Sequence, residues 1–379
     1  MNELHVISCE YPPQIGGVGS YVATIAEGLA QTGHRVHVWC PDAAARGPEP
    51  PGVTVHRELG QFTPWDLRRA GALLNAFPAP RRLLVQWVPH GYGYRSMNLP
   101  FCLWARARAR RGDDLDVMVH EPFLAFDGSW KQRGAAAVHR AMTLALLNAA
   151  RRVWVSTPAW RASLAPYAPG REQGFDWLPI PSPVEPISDA AGVAAVRARV
   201  ASGADFVIGH FGMYSRLTAA PVTAAVSRVL RRVERAVVLL LGQGSPQLRE
   251  EIVAADPACA SRVHAAGVLT LHDLSRHLQA CDVLLQPYPE GITGRRTSAM
   301  APLAHGRAMV TTEGPASEPI WRESGAVCLV PAGDADALAS AVERLLADSS
   351  ERTRFAARAQ RLYHERFRAA HTVDALAAS

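Results

Sequence analysis

Short apolar runs alternate with amphipathic stretches along the chain, and this alternation limits the fold more than any other feature. LHVIS, HRVHVWC, RLLVQWV, LDVMVH and RRVWVS (residues 4–8, 34–40, 82–88, 115–120 and 151–156) predict buried strands. Between them, VGSYVATIAEGLAQT (18–32), LPFCLWARARAR (99–110) and RGAAAVHRAMTLALLNAA (133–150) predict helices. Strand then helix, repeated, means an α/β protein with a parallel sheet covered by helices on both faces. The pattern breaks at WLPIPSPVEPISDAAG (177–192), where proline restricts the backbone and removes donors, so a linker is expected. It restarts with DFVIGHFG, AVVLLLG, SRVHAAG, CDVLLQPY, RAMVTT and AVCLV as strands.

A length of 379 residues suits two such domains, expected at 1–180 and 181–359. The C-terminal helix, at about 360–379, can pack back on the first. Two doubly wound halves place a cleft between them, with ligands at the carboxyl ends of the strands. With 48% hydrophobic and 20% charged residues, the composition is that of a globular enzyme. There is no apolar run of ~18 residues to span a membrane. MNELHVISCEYPP reads as a first strand, not a signal peptide. Six scattered cysteines with no Cys-x-x-Cys suggest neither zinc nor disulfides, which fits a reducing cytoplasm. The net charge of +6, almost all arginine with Lys131 the only lysine, fits anionic substrates or an anionic membrane face. No nucleic-acid motif accompanies it.

Several stretches carry candidate chemistry. In EYPPQIGGVGSYVATIAEGLA, glycines 16, 17 and 19 open a helix. They form either a tight turn or a backbone approach to an anion. The spacing is not Gly-x-Gly-x-x-Gly, so no dinucleotide fingerprint is present. In CDVLLQPYPEGITGRRTSAM, Glu290 follows a strand. It either accepts hydrogen bonds from sugar hydroxyls or caps a turn in solvent. The N–H groups of Gly291 to Gly294, with the helix dipole, can hold a phosphate. His120 ends the strand LDVMVH, with Glu121 beside it. The loop VPHGYGYRSMNLPF offers His90, Tyr92 and Asn98 for a polar acceptor, or packs on its tyrosines. WARARARRGDD places arginines at 106, 108, 110 and 111, which read as a solvated helix end or as contacts to lipid phosphate.

The chain resembles the GT-B glycosyltransferases, and most of all the retaining family 4. PEGITGRRTSAMAPLAHGRAMVTT follows that family's Pro/Glu signature, and YPPQIGGVGSYVATIAEGLAQTGHRVHV follows its opening. LLLGQGSPQLREEI, VHAAGVLTLHDLSRHLQACDVLLQP and VPAGDADALASAVERLL match further landmarks in order. The resemblance implies a sugar transfer from a nucleotide-sugar, UDP- or GDP-linked, with retention of anomeric configuration. It implies no metal and no other cofactor. His120 and Glu290 would be the catalytic residues. The donor would meet Gly17, Gly212, Arg216, Gly242, Val268, Gly291, Ile292, Thr293, Gly294, Arg295 and Ser298. Tyr11, Gln14, His90, Tyr92, Asn98 and Glu121 would face a sugar, lipid-linked or small-molecule acceptor. The enzyme would be cytoplasmic, with or without peripheral contact at the inner membrane face.

Two positions depart from the family pattern. Ser298 stands where the signature has its second acid, and Pro221 where a lysine usually contacts the diphosphate. Two arginines at a helix start oppose the macrodipole, so Arg295 is the expected replacement for the lysine. A nucleotide-sugar epimerase and a non-catalytic partner subunit on the same fold are the other readings.

Overall fold

The computed structural model describes residues 3–14, 16–43, 47, 49–126, 128–170, 174–201 and 205–379, without the side chains of Arg216 and Leu217. The chain divides into two compact units, one of residues 1–180 with 369–379 and the other of 181–368.

In the first unit the strands are β1 (Glu3–Ile7), β2 (Arg35–Trp39), β3 (Val53–His56), β4 (Arg82–Trp87), β5 (Asp114–Val119), β6 (Arg152–Val155) and β7 (Phe175–Trp177). They form one parallel sheet in the order β3-β2-β1-β4-β5-β6-β7. Its helices are α1 (Gly17–Gln31), α2 (Pro64–Leu74), α3 (Leu99–Arg110), α4 (Trp130–Leu147) and α5 (Trp160–Leu164). Alternate residues of a strand enter opposite layers. Leu84 joins Val6, Ile25 and Leu29 on one face, while Leu83 and Val85 join Trp87, Phe101 and Leu146 on the other.

The second unit has strands β8 (Phe206–Phe211), β9 (Ala236–Leu241), β10 (Val263–Gly267), β11 (Val283–Gln286), β12 (Ala308–Glu313) and β13 (Cys328–Pro331). They pair in parallel in the order β10-β9-β8-β11-β12-β13. Its helices are α6 (Ala190–Val200), α7 (Arg216–Arg232), α8 (Ser245–Ala255), α9 (Leu271–Ala280), α10 (Thr297–Ala304), α11 (Ile320–Ser324), α12 (Ala335–Ala347) and α13 (Ser349–Leu362). β9 is AVVLLL and buried at every position, as a central strand covered on both faces requires. The last helix, α14 (Ala369–Ala377), rejoins the first unit, where Val373 and Leu376 enter the core beside α1.

Both sheets are doubly wound. β3, β7, α2 and the short α5 are elements of the first unit that the apolar runs do not announce. β3 and β7 are the edge strands of the first sheet, four and three residues long and partly exposed, so neither needs a continuous apolar run. α2 starts at a capping box in which the Thr63 hydroxyl and the Asp66 backbone and carboxylate bond each other.

Candidate active site

In the second sheet the order reverses between β8 and β11, and loops leaving strands at such a point are where α/β proteins bind ligands. The loop after β11 carries Glu290, with its side chain 58% exposed. Its carboxylate accepts a hydrogen bond from Arg296 Nη2 at 2.7 Å. The Arg296 guanidinium lies 5.2 Å from the centre of the Tyr288 ring. Tyr288 is buried, which pushes its phenol up to about 12, and its hydroxyl sits 2.8 Å from Ser298 Oγ. Glu290, Arg296, Tyr288 and Ser298 therefore form one connected chain. Gly291 has φ of +91° and packs where a Cβ would strike the Gly314 backbone, so only glycine suits this position.

The amides of this loop correct the sequence expectation. Gly291 N–H donates to Tyr288 O at 3.1 Å and Ile292 N–H to Thr312 O at 2.8 Å. Gly294 N–H donates to both oxygens of Glu318, at 3.0 and 3.1 Å. Glu318 is buried and also accepts from Trp321 Nε1 at 2.7 Å. Buried amides must be paired, and these three are paired within the protein rather than presented to a phosphate. Thr293 is buried and its hydroxyl has no hydrogen-bond partner among the described residues. Arg295 is half-buried on the same loop.

On the β8 side, Gly212 N–H bonds Leu241 O at 3.0 Å. Gly242, at φ +115°, lies flat against the Gly212 backbone. The two glycines bring the loops after β8 and β9 together. The Arg216 side chain lies outside the described residues. Val268 is exposed at the end of β10. Sequence reasoning did not single out Tyr214, whose hydroxyl sits 2.9 Å from His210 Nδ1. His210 is deeply buried, and desolvation lowers its imidazole to about 3.

In the first unit the order reverses between β1 and β4. His120 follows β5, is buried, and places Nε2 2.8 Å from Gln86 Oε1 on β4. Its ring meets Tyr21 edge-on, with centroids 4.9 Å apart. The Tyr21 hydroxyl and the Gln86 amide nitrogen are buried without a partner among the described residues, an unmet polar demand beside the imidazole. Neither was foreseen, because nothing in the sequence marks a buried glutamine or tyrosine as polar lining. His90 Nδ1 and Glu121 Oε2 lie 3.5 Å apart on the surface, and Gln14 is exposed.

Other expected contacts are packing residues. Tyr11 is buried in the core beside α1, and burial raises its phenol to about 12. Tyr92 is wholly buried, with its hydroxyl donating to the Gln86 carbonyl. Asn98 is also buried. It caps α3 by accepting from Phe101 N–H at 2.9 Å and donates to the Phe62 and Tyr92 carbonyls. The side-chain polar atoms of Tyr92 and Asn98 are bonded inside the protein, which removes these two from any acceptor surface. Nor is Arg108 solvated: it is buried in an ion pair with Asp113 at 2.6 Å.

At the start of α1, Gly17 faces open space, but Gly19 N–H already donates to Glu10 Oε1 at 2.8 Å. The internal carboxylate fills part of the anion seat expected there. Between Gly93 and Ser96 four successive residues have positive φ, Tyr94, Arg95 and Ser96 among them. His139 Nε2 holds this turn at the Ser96 carbonyl, 2.7 Å away.

A cavity of about 950 Å³ lies at the β10 edge of the second sheet, among α6, α8 and α9, and includes none of the residues from Tyr288 to Ser298. Among the described residues no group of three or more His, Cys, Asp or Glu could hold a metal ion, and no helix is long and apolar enough to cross a membrane.

The family model described as Glycosyltransferase Family 4 matches residues 15–172, and that of Glycosyl transferases group 1 matches residues 206–348. The chain is 24% identical over 373 residues to the phosphatidyl-myo-inositol mannosyltransferase of Mycolicibacterium smegmatis, covering 94% of this chain and 88% of that protein. Among solved structures it is similar to sucrose-phosphate synthase from Thermosynechococcus elongatus (TM-score 0.75, 17% identity, 100% of this chain and 98% of that one). It is also similar to Anabaena HepE in complex with UDP (TM-score 0.68, 16% identity, 100% and 99%).

Proposed function

The chain belongs to the GT-B glycosyltransferases, its first unit matching the Family 4 model and its second the group 1 model, and we propose that it moves a sugar from a nucleotide-sugar to an acceptor hydroxyl with retention of configuration and without a metal. Glu290 carries the reading, as an exposed carboxylate fixed by Arg296 on a loop beside the switch point of a doubly wound sheet. Such a carboxylate makes charge-assisted hydrogen bonds to sugar hydroxyls. The donor belongs to the second unit and the acceptor to the first. As the glycosidic bond to phosphate breaks, the departing diphosphate takes the acceptor's proton while the acceptor oxygen bonds the anomeric carbon on the same face. The charge that develops is met by Arg216, Arg295 and the start of α10, electrostatic stabilisation of the kind that dominates such steps. Because the Gly294 amide is already taken by Glu318, arginine side chains carry more of this work. His120, with Tyr21 and Gln86 around it, positions the sugar. The UDP bound by the Anabaena protein supports a UDP-linked donor, with GDP-linked sugars as the second choice. The mycobacterial relative's name supports a sugar-like or lipid-linked hydroxyl as acceptor.

The test is nucleotide release and product analysis with UDP- and GDP-sugars, after a thermal-shift screen of the same nucleotides. A ligand at ~100 times its Kd stabilises by about 2.7 kcal/mol. Transfer should require an acceptor, keep the donor's anomeric configuration by NMR, and survive excess EDTA. A sugar product formed from donor alone identifies an epimerase. No nucleotide binding identifies a non-catalytic subunit. Either outcome overturns the reading.

A further inference from the structure

The geometry points to the cavity at the β10 edge as a second ligand site, one that takes a phosphorylated sugar or polyol. The inference goes beyond sugar transfer and does not depend on which donor the enzyme uses. The cavity, of about 950 Å³, is formed within the second unit by β10, α6, α8 and α9, and its size is that of a small-molecule pocket. One set of its polar groups is basic: Arg199 on α6, Arg249 on α8 and His264 on β10. Arg199 Nη2 lies 2.9 Å from His277 Nε2. A guanidinium only donates, so this ring nitrogen accepts, and His277 Nδ1–H donates to the Asp273 carbonyl at 2.6 Å. His277 is buried, and burial lowers its imidazole, so it stays neutral beside the Arg199 charge. Arg249 is held by the Val263 and Ala260 carbonyls at 2.7 and 3.2 Å. Both arginines are thus tied to neutral partners. His264 Nε2 is buried with no hydrogen-bond partner among the described residues. Burial lowers the His264 imidazole, and the charges of Arg249 and Arg199 lower it further, so both guanidinium groups act on the same ring. An anion placed among them offsets the repulsion.

The other polar set is acidic, Glu250 on α8 and Asp273 on α9. Asp273 accepts from Arg276 at 2.9 Å and from the Thr270 hydroxyl at 2.8 Å, while Glu250 is exposed. Carboxylates take hydrogen bonds from hydroxyl groups. Val196, Val200, Leu239 and Leu269 supply an apolar wall. Cations for a phosphate, carboxylates for hydroxyls and aliphatic side chains for the C–H face of a ring together match a sugar phosphate. A bare anion would leave Glu250 and most of the space unused, and a neutral sugar would leave the two arginines unanswered.

The experiment is isothermal titration of the full chain with glucose 6-phosphate, ribose 5-phosphate and glycerol 3-phosphate, with glucose and inorganic phosphate as controls. Each titration is run with and without excess UDP or GDP, which separates this cavity from the donor site. At least one of the three phosphates should bind in both conditions. Its affinity should exceed that of either control at least ~10-fold, since each control lacks one set of contacts. Arg199→Gln should lower that affinity at least ~10-fold, as the loss of a charge-assisted hydrogen bond implies, and Arg249→Gln should do the same. Arg199 is exposed, so its variant should keep the wild-type unfolding midpoint and nucleotide affinity. Arg249 also holds backbone carbonyls, so if its variant unfolds, Arg199→Gln alone decides. Absence of binding by all three phosphates at millimolar concentration overturns the proposal. So does displacement by UDP or GDP, equal affinity for inorganic phosphate, or binding that Arg199→Gln retains.

Discussion

Arg296 bonds Glu290 and lies over Tyr288, which in turn bonds Ser298, so these side chains act through one another. Glu290→Gln keeps the shape but loses charge-assisted bonds worth roughly 1.5–3 kcal/mol. Turnover should fall at least ~10-fold on the usual conversion of free energy to rate. Arg296→Ala should lower kcat by a similar factor because it releases the carboxylate. The double variant should then be little worse than either single one, as expected for coupled neighbours. Additive losses in steady-state kinetics would mean that the two residues act separately. Glu290 was legible because a strand, an acid and a glycine loop stand together in twelve residues. Glu318 and Glu10 were not, although each takes an amide at a helix start. Glu318 lies far along the chain from Gly294 and meets it only after α10 and β12 have packed, and neither acid falls in a pattern with a period.

Among the elements, buried parallel strands were easy to read because burial on both faces forces a continuous apolar run. Short edges such as β3 and β7 escape that demand. The turn from Gly93 to Ser96 escapes it too, since its left-handed backbone has no compositional mark beyond one glycine. A left-handed conformation costs a non-glycine residue roughly 1–2 kcal/mol. Arg95→Gly should therefore raise the unfolding midpoint, by about the equivalent of 0.5–1 kcal/mol after the added entropy of the unfolded chain. If the strain aims the loop at an acceptor, acceptor KM should rise as stability improves. An unchanged midpoint would remove the strain argument.

β1, β2 and β3 bring His5, His37 and His56 together, with His37 Nδ1 3.0 Å from His56 Nε2 and His56 stacked on Trp39 at 4.0 Å. Burial lowers His5 to about 3 and His56 to about 4, and it lowers His37 despite Glu3 nearby. All three are neutral in the fold. Their unfolded counterparts bind protons below about pH 6.5. Stability is thus fully present above that pH and is lost as pH falls through the window down to about 3, where His5 titrates in the fold. His56→Phe should flatten the acid limb of a plot of thermal midpoint against pH. A limb of the same slope would assign the loss to other groups, such as His210 or His305 in the second unit, both lowered by burial.

Across the whole molecule, the chain leaves the first unit after Ile180 and returns to it at Ala369. α14 fills the core beside α1 with Val373 and Leu376, donates from Thr372 Oγ1 to the Pro179 carbonyl at 2.9 Å, and receives Arg82 at the Leu376 carbonyl at 2.6 Å. Ending the chain at Arg368 should lower the melting of the first unit by several degrees, as the loss of two buried side chains at about 1.5–3 kcal/mol each implies. The second unit, which holds residues 181–368, should melt unchanged. Calorimetry of the shortened protein checks both, and a single unaltered transition would show that α14 contributes nothing.

This return also sets an order of events during synthesis. Domains usually fold as they leave the ribosome, N-terminal first. Here the N-terminal unit lacks a wall of its core until residues 369–379 are translated, whereas residues 181–368, which make the second unit, are translated before them. The unit made first is therefore the one completed last, and until α14 emerges the α1 face it covers is exposed apolar surface on the nascent chain, the kind a chaperone shields.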